Sequence, residues 1–136
     1  MHYQRNSQQR LQRYGDSSSP DEKKLLNCYL INARSFKKQT VRFYIIFLYS
    51  TRADCVCITE SWLSNEITDG LLDPNGEYSI FRKDRVGASG GGGVCAMVRK
   101  TLGAKQIDIL SDDSPTELLC FDVFSASTPY RFFCVI

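Results

Sequence analysis

Histidine is nearly missing from this chain. Its 136 residues include one, His2, in a polar leader. A Ser-His-Asp or Cys-His nucleophilic site is therefore not present in this sequence. Tryptophan is equally scarce, with Trp62 alone. No apolar run has the length of a bilayer span; the nearest, "VRFYIIFLYS" at 41–50, is far too short, so no membrane partner is expected. The first 24 residues are polar and contain no apolar segment of the secretory kind. Charge of one sign is lacking too. The net charge of +2 supplies no general attraction to nucleic acid, so any such attraction must come from local clusters.

What is present is a core. Hydrophobic residues make up 43 % of the chain, enough for one ordinary domain. Six cysteines, Cys28, Cys55, Cys57, Cys95, Cys120 and Cys134, all fall inside apolar runs. The expected state is buried free thiol in a reducing compartment, nucleus or cytoplasm. Cys55 and Cys57 share one strand face, which is poor evidence for zinc.

Residues 1–24 read as a disordered polar leader, and 25–136 as the structured part. "LLNCYLIN" reads as a strand ending at Asn32. "ARSFKKQTVRFYIIFLYS" reads as a helix, with Phe36, Thr40, Phe43, Ile46 and Phe47 sharing a face. "DCVCITE" is an unbroken apolar strand, the pattern of a central strand covered on both sides. Strand, helix, strand argues for a layered α/β fold. "SNEITDGLLDPNGEY" is mostly loop, with a strong turn at "DPNG". Further strands are expected at "YSIFRK", "GVCAMVRK", Ile107 to Leu110, Glu117 to Phe124 and "RFFCVI", with "TPY" as a turn. The chain stops inside an apolar strand, which suggests that the sequence is incomplete.

Two residues stand where chemistry collects. Glu60 closes the second strand and Asn32 closes the first. If the strands are parallel neighbours, both side chains emerge at one rim, where ligands bind in layered α/β folds. An amide oxygen beside a carboxylate is a hard-oxygen site suited to Mg²⁺. The plainer alternative is that Asn32 caps the following helix and Glu60 is solvated. Trp62 either packs over the rim or stacks on a base or sugar, the plainer alternative being a lone Trp half buried at a core edge. The basic cluster Arg82, Lys83 and Arg85 either holds phosphates or forms a solvated hairpin tip, and Asp84 could orient an arginine there. The run Gly90 to Gly93 is followed by no Gly-Lys-Ser/Thr and leads into a strand, so it is neither a Walker loop nor a dinucleotide fingerprint. Its expected role is left-handed backbone beside a crowded surface.

Taken together, "INARS", "DCVCITESWL", "YSIFRKDR", "GGGGV" and "TPYRFFCVI" resemble the amino-terminal part of an endonuclease/exonuclease/phosphatase domain. The wording is most similar to the apurinic-like endonuclease of non-LTR (LINE-type) retrotransposons. The resemblance implies a four-layer α/β sandwich of the DNase I-like type, truncated after roughly its first half. It implies Mg²⁺-dependent phosphodiester hydrolysis on DNA, with Asn32 and Glu60 as catalytic and metal residues. It also implies that Arg82, Lys83 and Arg85 lie near the DNA-binding face. The family's later motifs (a Tyr-Arg-Pro-like segment, Asp-x-Asn, a later Asp and Ser-Asp-His) do not appear in this chain. A carboxy-terminal half and a reverse transcriptase region are thus the partners implied within one longer polypeptide. The chain by itself is expected to be inactive. The alternative is a non-catalytic nucleic-acid-binding or interaction module that keeps half of the fold.

Overall fold

The computed structural model describes residues 25–36, 40–86, 91–111, 113–126 and 128–136. The leader at 1–24 lies outside them.

Seven strands form two sheets. β1 (Cys28–Asn32), β2 (Cys55–Thr59), β3 (Tyr78–Lys83) and β4 (Val94–Arg99) make the first, in the order β1-β2-β4-β3. β1 runs parallel to β2, and the other pairings are antiparallel. β5 (Gly103–Ile107), β6 (Leu118–Ser125) and β7 (Thr128–Val135) make an antiparallel second sheet, in chain order. A 3₁₀ turn (Ala33–Phe36) and helix α1 (Thr40–Thr51) connect β1 to β2, and a single-turn helix, α2 (Asp69–Leu72), precedes β3.

The period-2 alternation of the central strands builds two cores. Val56 and Ile58 of β2, with Cys95 and Met97 of β4, face α1 and meet Tyr44, Phe47, Leu48 and Leu72. Cys55 of β2 and Val94, Ala96 and Val98 of β4 face the other way, onto Leu119, Phe121, Val123 and Cys134 of the second sheet. Phe121 stacks on Phe132 (centroids 5.3 Å apart) and lies 5.7 Å from Phe81 of the first sheet. β2 and β4 are therefore apolar on both faces, as a central strand must be. Helix, sheet, sheet is three of the four layers of an α/β sandwich.

The far face of the second sheet is open. Phe124, Phe133 and Val135 point away from the inter-sheet core and are 43 %, 60 % and 52 % exposed.

Several expectations need correction. The helix expected from Ala33 begins at Thr40, after the 3₁₀ turn; 37–39 lie outside the described residues. Its buried stripe is Tyr44, Phe47 and Leu48, while Ile46 is exposed. Ile46 lies two positions from both Tyr44 and Leu48, which puts it on the opposite side of a helix of 3.6 residues per turn. The strand expected at Ile107 to Leu110 is instead β5, Gly103–Ile107, because Gly103 to Ile107 pair with Phe124 to Cys120 while Ile109 and Leu110 face solvent. The turn expected at "TPY" falls at Ala126 (φ 54°), and β7 already begins at Thr128. Pro129 is tolerated because β7 pairs on one side only among the described residues. Cys28 is exposed on the edge strand β1, whereas Cys55, Cys95, Cys120 and Cys134 are buried and all six cysteines are free thiols.

Candidate functional site

The rim forms where β1 and β2 end. Asn32 is the register partner of Thr59, so Asn32 and Glu60 leave the sheet side by side at the carboxyl ends of two parallel strands. Helix connectivity enforces this, since a parallel pair needs the crossover that α1 supplies.

Each side chain has a structural hold. Asn32 Oδ1 accepts the Arg34 N–H at 3.0 Å, the capping role open from sequence. Glu60 Oε2 accepts the Gly92 N–H at 3.2 Å. The backbone at Glu60 is left-handed (φ 54°), and so is that at Trp62 (φ 58°). Such conformations cost a non-glycine residue about 1–3 kcal/mol and collect at functional sites.

The glycine segment holds this bend. The Ser61 N–H donates to the Gly93 carbonyl (3.1 Å), and the Trp62 N–H donates to that of Gly92 (3.0 Å). Gly91, Gly92 and Gly93 all have positive φ. A Cβ on Gly93 would sit 2.7 Å from Ser61 Oγ, and one on Gly91 would sit 3.1 Å from the Trp62 ring. Trp62 is half-buried with its ring against Gly91, which joins two of the placements open from sequence, the rim and a core edge. From below, buried Tyr44 donates its hydroxyl to the Ser61 carbonyl at 2.9 Å. Burial, reinforced by Cys95, pushes the Tyr44 phenol up and keeps it a donor.

The basic cluster is mostly occupied within the protein. Arg82 donates to both oxygens of Asp84 (3.2 and 2.6 Å), to Asp69 (3.0 Å) and to the Ile67 and Ser64 carbonyls. Burial opposes its charge, but the two carboxylates outweigh that and hold its pKa above the usual value. Asp84 does orient an arginine. Arg85 reaches across to the second sheet and meets Glu117 bidentately, Nε to Oε1 at 2.6 Å and Nη2 to Oε2 at 3.0 Å. Lys83 ends β3, opposite Val94.

Sequence reasoning passed over three residues here. Ser61 is fully buried and docks the glycine segment. Tyr44 was hidden in an aromatic helix. Glu117 was read only as the start of a strand, although a lone carboxylate opening "TELLCFDVFS" is a visible signal.

The donor chemistry fits a hard divalent cation in part. Asn32 and Glu60 offer oxygens at one rim, and Mg²⁺ is usually held by one or two carboxylates with water and phosphate completing the shell. Among the described residues no group of three or more His, Cys, Asp or Glu side chains converges. The site is open-sided and has too few protein donors to enclose an ion.

No protein-family model matches the sequence, and no curated protein does. Solved structures do match. One is D. rerio TDP2 complexed with single-strand DNA product, with TM-score 0.52 and 17 % identity over 76 % of this chain. Another is the AP endonuclease LMAP from Leishmania major, with TM-score 0.55 and 13 % identity over 79 % of this chain. The likeness is one of fold: this chain shares its two-sheet α/β arrangement with both structures. The chain spans only 42 % and 39 % of the length of those two structures.

Proposed function

We propose that this chain is the amino-terminal part of a divalent-cation-dependent DNA endonuclease of the non-LTR retrotransposon type, and that it is inactive alone. The observation that carries this reading is the juxtaposition of Asn32 and Glu60 at the rim of a parallel pair in this fold. Asn32 and Glu60 would hold Mg²⁺, which supplies Lewis-acid stabilisation of charge on a phosphate. The rim residues do the rest. The amide of Asn32 and the carboxylate of Glu60 present hard oxygens on one side of an approaching phosphate. The Gly91–Gly93 backbone, lacking side chains, leaves room for Trp62, Arg85 and Ser61 to pack on it and so fixes the bend that presents Glu60. Lys83 and Arg85 add positive charge at the same end of the first sheet.

Inactivity follows from the missing acid-base pair. The chain's one histidine, His2, lies outside the described residues. The Glu117 carboxylate is engaged by Arg85. Deprotonation of water needs a positioned base, and among the described residues the rim offers none beyond Glu60 itself. In a longer polypeptide a carboxy-terminal half would complete the site.

Plasmid nicking with Mg²⁺ tests the reading. The expected result is no nicking above that of Glu60→Gln. Mg²⁺-dependent nicking by the chain, abolished in that variant, would overturn the claim of inactivity.

A further inference from the structure

Two carboxylates compete for one arginine at the rim. The Arg85 guanidinium packs against Gly92: a Cβ there would be 2.1 Å from both Cζ and Nε. The N–H of the same glycine is bonded to Glu60 Oε2. Arg85 and Glu60 therefore meet at one peptide, and the Glu60 charge acts on Arg85. Yet both Arg85 hydrogen bonds go to Glu117, whose side chain is 11 % exposed. Bidentate arginine-carboxylate pairing is the stronger, geometrically defined form of such a contact.

We infer that Glu117 is a positioning residue that holds Arg85 away from Glu60 and so leaves the Glu60 carboxylate open to a cation. This rests on the reading of Glu60 as a cation ligand. It assigns the segment that leads into the second sheet a role at the site: Glu117, directly before β6, keeps the site's own arginine from filling it. Arg85, 45 % exposed and charged, then remains beside the rim, where an incoming phosphate can meet it.

The test uses Glu117→Gln, Arg85→Gln, Glu117→Gln/Arg85→Gln and Glu60→Gln/Glu117→Gln in the full chain. Mn²⁺ serves as the cation probe, and the Arg85 Nε–H resonance reports the arginine's partner. In Glu117→Gln, Arg85 should transfer to Glu60. Its Nε–H should stay protected from exchange there and lose protection when Glu60→Gln is added. Mn²⁺ affinity should fall roughly 2- to 5-fold, the range of an exposed ion pair, and recover in Glu117→Gln/Arg85→Gln. Arg85→Gln alone should not weaken Mn²⁺ binding. A mere tether predicts the opposite, since Arg85→Gln and Glu117→Gln break the same contact and should weaken binding equally. Loss of one negative charge alone mimics the affinity pattern, so the Nε–H resonance decides. If it is as labile in Glu117→Gln as after Glu60→Gln is added, the inference is wrong. If the wild-type chain binds no Mn²⁺, the reading of Glu60 fails, while the resonance still decides where Arg85 goes. Should Glu117→Gln fail to fold, Arg85→Gln alone still separates the two accounts through the direction of its effect.

Discussion

Tyr44, buried in the middle of α1, donates its hydroxyl to the carbonyl of Ser61, 2.9 Å away and 17 residues later in sequence. That bond joins the helix layer to the strained bend that carries Glu60. Tyr44→Phe removes the donor and leaves a buried carbonyl unpaired. The expected cost is about 1–3 kcal/mol. Chemical denaturation measures it, and the Gly92 amide resonance should shift as the bend relaxes. An unchanged midpoint and unchanged amide would mean the bond does not support the bend.

The glycines are not equivalent. Gly93 has φ 85° and would place a Cβ 2.7 Å from Ser61 Oγ, whereas Gly76 has φ 65° and only Lys100 Nζ at 3.9 Å. An alanine at either pays the left-handed backbone cost of about 1–2 kcal/mol. Only at Gly93 is overlap added, typically about 1–3 kcal/mol. Gly93→Ala should therefore be the more destabilising by roughly that increment. Equal losses in thermal or denaturant unfolding would contradict the close packing of Gly93 on Ser61.

Acid should loosen the rim. The Arg85 hydrogen bonds hold the Glu117 pKa below its ordinary value, helped by the Gly93 N–H and opposed by burial. A depressed carboxylate contributes stability that is fully present above the unfolded-state value, about 4.3. That stability is lost as pH falls through the lower folded-state value. Amide exchange at Gly92 and Gly93, corrected for intrinsic rates, should speed up relative to Met97 as pH drops below about 4. Arg85→Gln should remove that relative change. Persistence of the change in Arg85→Gln would assign it to another group.

The two faces of the second sheet should respond oppositely to mutation. Phe121 is fully buried and ring-stacked, so Phe121→Ala should cost about 3–5 kcal/mol. Phe133 is 60 % exposed on the open face, so Phe133→Ser should shift stability by no more than about 0.5 kcal/mol. The same change should lower binding of an apolar dye, because it removes part of an exposed apolar patch. Undiminished dye binding would mean the patch is covered in solution.

Much of this was legible in the sequence, and the reasons differ by element. "DCVCITE" and "GVCAMVRK" read correctly because strands buried on both faces are continuous apolar runs. The shared rim of Asn32 and Glu60 was legible only on the condition that the two strands are parallel neighbours, and β1 and β2 meet it. Local apolarity failed where pairing decides. β5 uses Gly103 and Ala104 rather than Ile109 and Leu110, because the partner β6 sets the register. The helix face was misjudged at Ile46, where aromatic residues crowd both sides and blur the period. The partners of the basic cluster were invisible. Arg85 and Glu117 are 32 residues apart, and only the stacking of one sheet on the other brings them together.

The most direct test of the account is paramagnetic. With ¹⁵N-labelled chain, substoichiometric Mn²⁺ should first broaden the Gly92 amide and the Asn32 side-chain amide, which flank Glu60 at the rim. Glu60→Gln should abolish that broadening while leaving the fold intact. Broadening centred elsewhere, or unchanged in Glu60→Gln, would contradict a cation site built from Asn32 and Glu60.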